Sequence, residues 1–413
     1  MQRRVTIVTA GHLATCPRML KAADALDEAG YAVRVVSANF MPWAADADRR
    51  VRARRRWRST VIDYQRDTAA ARWLITGARF RAAQVAASTL GARRPLRLAV
   101  TAYSRIHREL VNAILREDAD LVYGGTTGAL AAVAEAGRRM GRPFAIDFED
   151  FHCGEQRDDA EGRMVNELAD IVMRDVARDA AFITAGSTAI ADACAARFDA
   201  RPTAVHNAFE LPAEAPHWNG RVRGPLRMYW FSQTIGPHRG LEDVVAAAGL
   251  VGRPCELHLR GVPAGGYLES LRALIARDAP ALALIHHAVA DPESMIDACR
   301  GFDVGLSPEQ GVPPNRELNL TNKALTYPLA GLPVVLTDTA GQQGLARDLG
   351  AGAVCYRPGD VAALASGLAR WFDDPDALRA AGEASWEAAR RRWHWRHPAE
   401  RGALLAAVAR VVS

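Results

Sequence analysis

The sequence predicts an α/β protein built from two doubly wound, Rossmann-like domains. Short apolar segments of strand length alternate with segments of helix length over residues 5–206, and the alternation resumes after a break at residue 226. This alternation is typical of parallel βαβ units with helices on both faces of each sheet. The length of 413 residues suits two domains, and 49% hydrophobic residues are enough for a core in each.

The first half opens with an apolar strand, a polar loop and a helix that ends at Gly30, a residue type that commonly terminates helices. Ser187 is placed to cap a later helix. Strands are predicted at residues 5–9, 33–37, 121–123, 144–148, 181–185 and 203–206. Helices are predicted at residues 17–29, 128–140, 161–178 and 188–197, with further helical stretches around 69–90 and 98–115.

A break separates the two halves. Residues 207–224 are rich in Pro, Gly, Asn and Glu and show little periodicity, so they are predicted to form a linker between domains at residues 1–206 and 225–395. Strands follow at residues 226–232, 255–260, 283–286, 304–307 and 334–337. Helices follow at residues 241–251, 267–277, 292–299, 321–330, 360–372, 375–392 and 399–412. Ligands bind beyond the carboxyl ends of strands in such sheets, so two facing domains would form a cleft.

Several classes of protein are disfavoured by what the sequence lacks. No apolar run reaches the roughly 18 residues that span a bilayer, and the apolar run at 5–10 is too short for a signal peptide. The six cysteines are far apart without a C-x-x-C pair, which is typical of reduced cysteines in a cytoplasmic protein. The G-x-G-x-x-G loop, the P-loop, H-E-x-x-H and G-x-S-x-G are also missing, which disfavours NAD sites, P-loop NTPases, zinc proteases and common hydrolases.

Five segments together resemble the retaining GT-B glycosyltransferases of family four. The first is the opening loop and helix, the second is the end of a strand bearing Asp147, and the third begins the second domain and ends in Arg239-Gly240. The strongest match contains Asn322-Lys323 and Gly331-Leu332-Pro333. The segments are residues 11–18, 145–152, 230–241, 285–289 with 292–295, and 322–335. Their order and spacing, over nearly the whole chain, carry the resemblance.

The resemblance implies a GT-B fold whose last helix, within residues 396–413, packs back onto the N-terminal domain. It implies a hexosyltransferase that moves a sugar from a nucleoside-diphosphate sugar to a hydroxyl acceptor with retention, assisted by the departing phosphate. The nucleotide-sugar is then a co-substrate, and neither a cofactor nor a metal is required. Cations and backbone N–H groups would stabilise the leaving group: Arg239, and the helix start at residues 321–323.

The resemblance also assigns the site residues. The donor-binding residues would be Gly11, His12, Gln233, Arg239, His287, Val289, Asn322, Lys323 and Thr326. The catalytic residues would be Arg239, Glu149, Asp150 and His152. A carboxylate or imidazole at the end of strand 144–148 could act as general base for the acceptor hydroxyl. A helix-cap and ion-pair cluster is the alternative there, and an ordinary strand-end histidine explains His287 equally well.

The sequence departs from the family pattern at several of these positions. Gln233 stands where the family has Arg, Thr326 where a Glu binds ribose, and Glu149 where a His is usual. Glu309 and Glu317 lie near the family's paired glutamates but out of register. Two alternatives therefore stay open: a GT-B-shaped sugar-nucleotide epimerase, and a non-catalytic partner subunit with an impaired donor site.

The charge is unevenly distributed along the chain. Residues 49–108 contain sixteen arginines against Asp63 and Asp67, although the whole chain has a net charge of only +5. Aromatic residues are interleaved with these arginines, which suits an anionic membrane face or a lipid-linked acceptor. A solvated surface, or arginines paired within the fold, is the alternative, and no module signature supports nucleic-acid binding. The sequence thus predicts a cytoplasmic enzyme of cell-envelope glycan or glycolipid synthesis, with attachment to the inner membrane face as an open alternative.

Overall fold

The computed structural model describes residues 2–216, 218, 224–291 and 294–412. The chain divides into two compact units. The first contains residues 1–206 together with 398–413, and the second contains residues 207–397. Each unit is a parallel sheet covered by helices, as the alternation of strands and helices predicts.

The described part of the first unit contains a seven-stranded parallel sheet with strand order β3-β2-β1-β4-β5-β6-β7. This order has the 3-2-1-4-5 core of Rossmann-type sheets, in which the chain crosses over between the first and fourth strands. The strands are β1 (Arg4–Thr9), β2 (Ala32–Asn39), β3 (Arg58–Asp63), β4 (Leu121–Gly125), β5 (Phe144–Phe148), β6 (Ile183–Ala185) and β7 (Thr203–Ala204).

Helices of the first unit connect these strands, and the last helix of the chain joins them. The connecting helices are α1 (Pro17–Glu28), α2 (Pro42–Ala53), α3 (Ala70–Leu90), α4 (Leu96–Tyr103), α5 (His107–Ile114), α6 (Leu130–Met140), α7 (Ala160–Ala177) and α8 (Thr188–Phe198). The buried carboxylate of Glu400 accepts hydrogen bonds from the backbone N–H of His206 at 2.5 Å and from its Nδ1 at 2.9 Å. Arg401 reaches Glu28 of α1 at 2.8 Å. These contacts hold the end of the chain in the first unit.

The described part of the second unit contains a six-stranded parallel sheet with strand order β10-β9-β8-β11-β12-β13. The strands are β8 (Leu226–Ile235), β9 (Cys255–Pro263), β10 (Leu282–His287), β11 (Val304–Ser307), β12 (Val334–Thr337) and β13 (Ala353–Tyr356). Alternate residues of β8 enter different apolar clusters, with Met228 and Trp230 in one and Tyr229 in the other. The sheet is therefore buried on both faces, as its nearly continuous apolar strands predict.

Helices cover this second sheet and lead into the last helix of the chain. They are α9 (Leu241–Val251), α10 (Tyr267–Asp278), α11 (Met295–Cys299), α12 (Pro314–Leu318), α13 (Asn322–Leu329), α14 (Ala340–Leu349), α15 (Val361–Asp373) and α16 (Pro375–Arg391), followed by α17 (Ala403–Val412). The described part of the predicted linker packs on this unit, because Trp218 Nε1 donates to the Gly331 carbonyl at 3.0 Å. The start of the helix predicted at 292–299 lies outside the described residues.

The sequence misplaced or missed several elements. The helical stretch predicted around 98–115 is two helices, α4 and α5, separated at Ser104. Ser104 has an extended backbone, and its hydroxyl donates to the Gly128 carbonyl at 2.6 Å, which ends the first helix. The unpredicted elements are α2, β3, α12, α14 and β13.

In each sheet the strand order reverses between two central strands, β1 and β4 in the first and β8 and β11 in the second. The loops that follow these two strands converge at the carboxyl edge of the sheet. In the first sheet the loops that follow β1 and β4 meet, because Ala10 N donates to Thr126 Oγ1 at 3.1 Å. In the second sheet the loops after β8 and β11 meet in the same way. Open α/β sheets bind their ligands at such points, so these two edges are where a functional site is to be sought.

Candidate functional site

The crossover of the second sheet brings Arg239 next to the loop after β11. Gly240, between Arg239 and α9, has φ +71°, and a side chain there would place its Cβ 1.9 Å from the Pro308 carbonyl oxygen. Only glycine allows the two loops to approach this closely. Backbone packing therefore explains the glycine of the Arg239-Gly240 pair that the sequence analysis singles out.

A buried carboxylate lies at the centre of this site. Glu309 is fully buried, and it accepts hydrogen bonds from Lys323 Nζ at Oε1 and from Arg316 Nη1 at Oε2, the latter at 2.9 Å. Its backbone carbonyl accepts from Thr337 Oγ1 at 2.7 Å. Burial alone would raise the pKa of Glu309, but the charges of Lys323 and Arg316 outweigh burial and lower it, so the carboxylate is ionised.

Arg239 is the third cation of this group, and it differs from the other two. Its half-buried side chain makes no hydrogen bond or ion pair with another residue in the described ranges 2–216, 218, 224–291 and 294–412. Burial and the nearby charge of Arg316 lower the pKa of Arg239, and the charge of Glu309 opposes them. Arg239, Arg316 and Glu309 therefore lie close enough to interact electrostatically. Three cations around one carboxylate leave an excess of two positive charges, which suits a dianionic group such as a diphosphate.

The start of α13 lies beside this charge cluster. Lys323 lies in the first turn of α13 and is buried. Thr321, which precedes the helix, provides no side-chain cap, so the first backbone N–H groups of α13 receive no hydrogen bond from a capping side chain. The side chain of Asn322 accepts a hydrogen bond from Asn207 Nδ2 at 2.7 Å through its Oδ1. The hydroxyl of Thr326, for which a nucleotide contact is predicted, is buried and donates to the Asn322 carbonyl within the helix at 2.8 Å.

His287, the last residue of β10, belongs to a polar chain with His258 and Glu256 of β9. Its Nε2 lies 2.9 Å from His258 Nδ1, and His258 Nε2 lies 2.8 Å from Glu256 Oε2. Burial, Arg260 and His258 lower the pKa of His287, so its imidazole is neutral at neutral pH. Val289, two residues further, is 60% exposed. Gln233 is exposed near the end of β8.

In the first unit, His12 orders the opening loop. Its Nδ1 lies 3.1 Å from Asp48 Oδ2, and its Nε2 accepts from the backbone N–H groups of Phe40 and Met41 at 3.1 and 3.0 Å. Both ring nitrogens are occupied and the side chain is fully buried, so the predicted direct contact of His12 with a ligand needs correction. Gly11 N donates to Thr9 Oγ1 at 3.2 Å and its carbonyl accepts from Ala38, which fixes the same loop.

The loop after β5 gathers the predicted acid and base residues. A side chain at Gly186 would place its Cβ 2.0 Å from the Glu149 carbonyl oxygen, so this loop lies directly against the end of β6. Burial raises the pKa of Glu149 to about 7, and the neighbouring Asp150 contributes. A carboxyl group with a pKa near 7 is suited to general acid–base chemistry at neutral pH.

His152 lies in the same loop and is held by Glu155. Nδ1 of its buried ring lies 2.8 Å from Glu155 Oε1 and forms a hydrogen bond with it. Its Nε2 has no hydrogen-bond partner in the described part of the chain. Burial would lower the pKa of His152, but Glu155, Asp150 and Glu149 raise it to about 9. The imidazole is therefore a protonated hydrogen-bond donor at neutral pH, and Glu149 suits the role of base better than His152 does.

Sequence reasoning left several residues of these two sites unassigned, although it noted Glu309 as a residue near the family's paired glutamates. Glu309 and Arg316 complete the charge cluster, and Glu155 orients His152. Tyr103 lies within electrostatic reach of Glu155 and Asp150, which, after burial, raise its pKa well above the usual value. The i,i+3 spacing of His152 and Glu155 was the one local signal that could have pointed to this pair.

Comparison with solved structures decides the fold. HepE from Anabaena, solved in complex with UDP, matches with a TM-score of 0.65 and 16% identity, covering 100% of this chain and 99% of that one. Sucrose-phosphate synthase from Thermosynechococcus elongatus matches with a TM-score of 0.67 and 13% identity over 100% of both chains. Both are GT-B glycosyltransferases. The chain has the GT-B fold.

Two further solved structures are similar to this chain. TarM of S. aureus, solved with fondaparinux, α-GlcNAc-glycerol and UDP, matches with a TM-score of 0.69 and 8% identity over 100% of both chains. A putative UDP-N-acetylglucosamine 2-epimerase from Listeria monocytogenes matches less well, with a TM-score of 0.57 and 12% identity over 99% of this chain and 96% of that one. No family model and no curated protein matches the sequence.

Proposed function

We propose that the protein is a glycosyltransferase that moves a sugar from a nucleoside-diphosphate sugar to a hydroxyl acceptor. The observation that carries the proposal is the excess positive charge at the crossover of the second sheet, where Arg239 has no partner among the described residues. Ligands bind at such crossovers, and cations there stabilise a departing diphosphate. The HepE and TarM structures contain UDP, which favours a UDP-sugar as donor.

In the proposed reaction, the bond from the anomeric carbon to the diphosphate oxygen breaks and a bond to the acceptor oxygen forms. The proton of the acceptor hydroxyl passes to the Glu149 carboxylate. The nucleoside diphosphate leaves with the electron pair, and Arg239 with the backbone N–H groups at the start of α13 stabilises its charge. Retention of configuration and independence from metal follow from the resemblance in the sequence, as does a role in cell-envelope glycan or glycolipid synthesis on the cytoplasmic side. The loop after β5 binds the acceptor in this proposal.

An assay of sugar consumption tests this function against its alternatives. The protein is incubated with UDP-glucose, UDP-N-acetylglucosamine and GDP-mannose, with and without a mixture of hydroxyl acceptors, and the products are read by NMR. A new glycosidic bond formed only with acceptor supports transfer, and its anomeric coupling constant reports retention or inversion. An altered sugar configuration without acceptor would show an epimerase, and binding of no nucleotide would show a non-catalytic subunit.

The pH profile of transfer should report Glu149. Because its pKa is raised to about 7, the ionised base forms as the pH rises through that value, and kcat/KM should increase up to about pH 7 and then level off. Glu149→Gln should remove this rise and lower kcat/KM by about 10²-fold or more. A profile of Glu149→Gln that keeps the same acidic rise would rule out Glu149 as the base.

The same shift affects stability with a defined sign. The folded protein holds the Glu149 proton more tightly than the unfolded chain, whose glutamate has the usual value of 4.5. The contribution of this group to stability is therefore largest at low pH and is lost as the pH rises from about 4.5 to about 7. Glu149→Gln should flatten the pH dependence of the free energy of unfolding across this interval, measured by urea titration.

A further inference from the structure

The solvent face of α3 is unusually apolar. The residues of this helix that are buried are small, namely Thr76, Ala83 and Ala87. Its large aliphatic residues point the other way, because Leu74, Ile75 and Val85 are 60%, 64% and 65% exposed. A surface helix of a globular protein normally buries its large apolar residues and exposes polar ones. In α3 this order is reversed along a helix roughly 31 Å long.

This exposed apolar character is concentrated in one part of the chain. Of the twelve large apolar residues that are exposed in the described ranges, eight fall within residues 40–96. They are Phe40, Trp43, Val61, Leu74, Ile75, Val85, Leu90 and Leu96. Contiguous exposed apolar residues mark an interaction surface, whereas scattered ones do not, and Leu74, Ile75 and Val85 are exposed on one helix.

Aromatic and cationic contacts connect Phe40 to the first turn of α3. Phe40 stacks on Tyr64 with ring centroids 5.3 Å apart, and Arg105 lies over both Tyr64 and Trp73 of α3, at 5.3 and 5.4 Å. Phe40 and Tyr64 follow the carboxyl ends of β2 and β3. Because the sheet is parallel, this is the same edge of the first sheet that bears the Glu149 loop.

The surface is also strongly basic. Residues 68–108 contain eight arginines and neither aspartate nor glutamate. Some of these arginines are paired within the fold, because Arg79 forms an ion pair with Glu109 and Arg94 forms one with Glu167. Arg81 and Arg97 are exposed, and their guanidinium groups make no hydrogen bond or ion pair with any residue that the structure describes. Positive charge without a paired carboxylate among the described residues therefore lies on α3 and on the neighbouring α4.

We infer that the exposed face of α3, with Phe40 and Trp43 at one end, docks on the surface of an anionic lipid bilayer. Basic residues are attracted to anionic headgroups, an apolar helix face enters the headgroup–acyl boundary, and exposed tryptophan favours that interface. A second copy of the chain fits poorly, because two such basic faces repel each other. No described helix is long and apolar enough to cross a membrane.

Vesicle co-sedimentation tests the charge contribution independently of sugar transfer. The full chain is mixed with vesicles of phosphatidylcholine alone, or of phosphatidylcholine and phosphatidylglycerol in equal parts. Binding is expected with the anionic vesicles, and Arg81→Gln with Arg97→Gln should weaken it about fivefold for each charge removed. The control variant Arg347→Gln with Arg370→Gln removes two exposed arginines of the second unit and should bind as the wild type does.

The apolar contribution is tested with a second pair of variants. Ile75→Gln with Val85→Gln should reduce binding to anionic vesicles by about tenfold or more, whereas Leu250→Gln, at an exposed site in the second unit, should not. All of these side chains are exposed, so the melting temperature should be unchanged. Absence of wild-type binding to anionic vesicles would overturn the inference. So would a wild-type dimer in light scattering that Ile75→Gln with Val85→Gln dissociates, because the occupant would then be a second copy.

Discussion

Arg239→Ala should lower kcat/KM for sugar transfer by about 10²- to 10³-fold while leaving the melting temperature unchanged. Losing one preorganised donor to a developing negative charge has an effect of this size. Folding should be unaffected because Arg239 makes no hydrogen bond or ion pair with another described residue. The measurement is steady-state kinetics with the donor identified by the NMR assay.

Two further variants make this result specific to the site. Arg239→Lys keeps the charge but loses the planar fork of donors, so its kcat/KM should fall between those of the wild type and Arg239→Ala. Arg370→Ala removes an exposed arginine from α15 of the same unit and should leave kinetics unchanged. If Arg239→Ala has the kinetics of Arg370→Ala, Arg239 does not contact the leaving group.

Asp147→Asn should lower the free energy of unfolding by about 3–5 kcal/mol, because it breaks a buried ion pair on one side. Asp147 is fully buried and accepts from Arg18 Nε at 2.7 Å, Arg18 Nη2 at 2.5 Å and Thr184 Oγ1 at 2.6 Å. Burial disfavours a charged Arg18, but Asp147 outweighs it and raises the Arg18 pKa. Without the carboxylate, a buried guanidinium would lose its hydrogen-bonded counter-charge.

The chain provides a matched control for this ion pair. Arg138 contacts Asp179 in the same bidentate way, at 2.8 and 2.6 Å, but on the surface of the same unit. Asp179→Asn should cost no more than about 1 kcal/mol, because water screens an exposed pair. Urea unfolding measures both variants, and an equal loss in the two would show that burial does not decide the contribution of Asp147.

Local patterns in the sequence predicted most of the fold. Ser187 caps α8 by accepting from Ile190 N, as its position before an apolar helix predicts. The break at Ser104 could not be predicted, because the carbonyl that its hydroxyl contacts belongs to Gly128. Strand β13 was missed because its apolar run is only four residues long, Ala353–Tyr356, and stands between Gly352 and the turn-forming Pro358-Gly359.

The candidate site was only partly predictable, and for a similar reason. The positions of Arg239 and Lys323 follow from local motifs, but the carboxylate that binds Lys323 is fourteen residues away, on another element. His12 has the appearance of a ligand-binding loop residue, and its contact with Asp48 becomes visible only when a helix thirty-six residues later is folded against it. Sequence patterns thus identify which residues reach a sheet edge, whereas folding decides which of them still have a free polar group there.

Calorimetric titration of UDP into the full chain tests the central claim, that the charge cluster of the second unit binds a nucleoside diphosphate. One UDP should bind per chain, and affinity should fall as salt is added. Arg239→Ala should weaken binding at least about tenfold, whereas Glu149→Gln in the first unit should not. UDP, GDP and ADP all failing to bind, or UDP binding Arg239→Ala as tightly as the wild type, would contradict the claim.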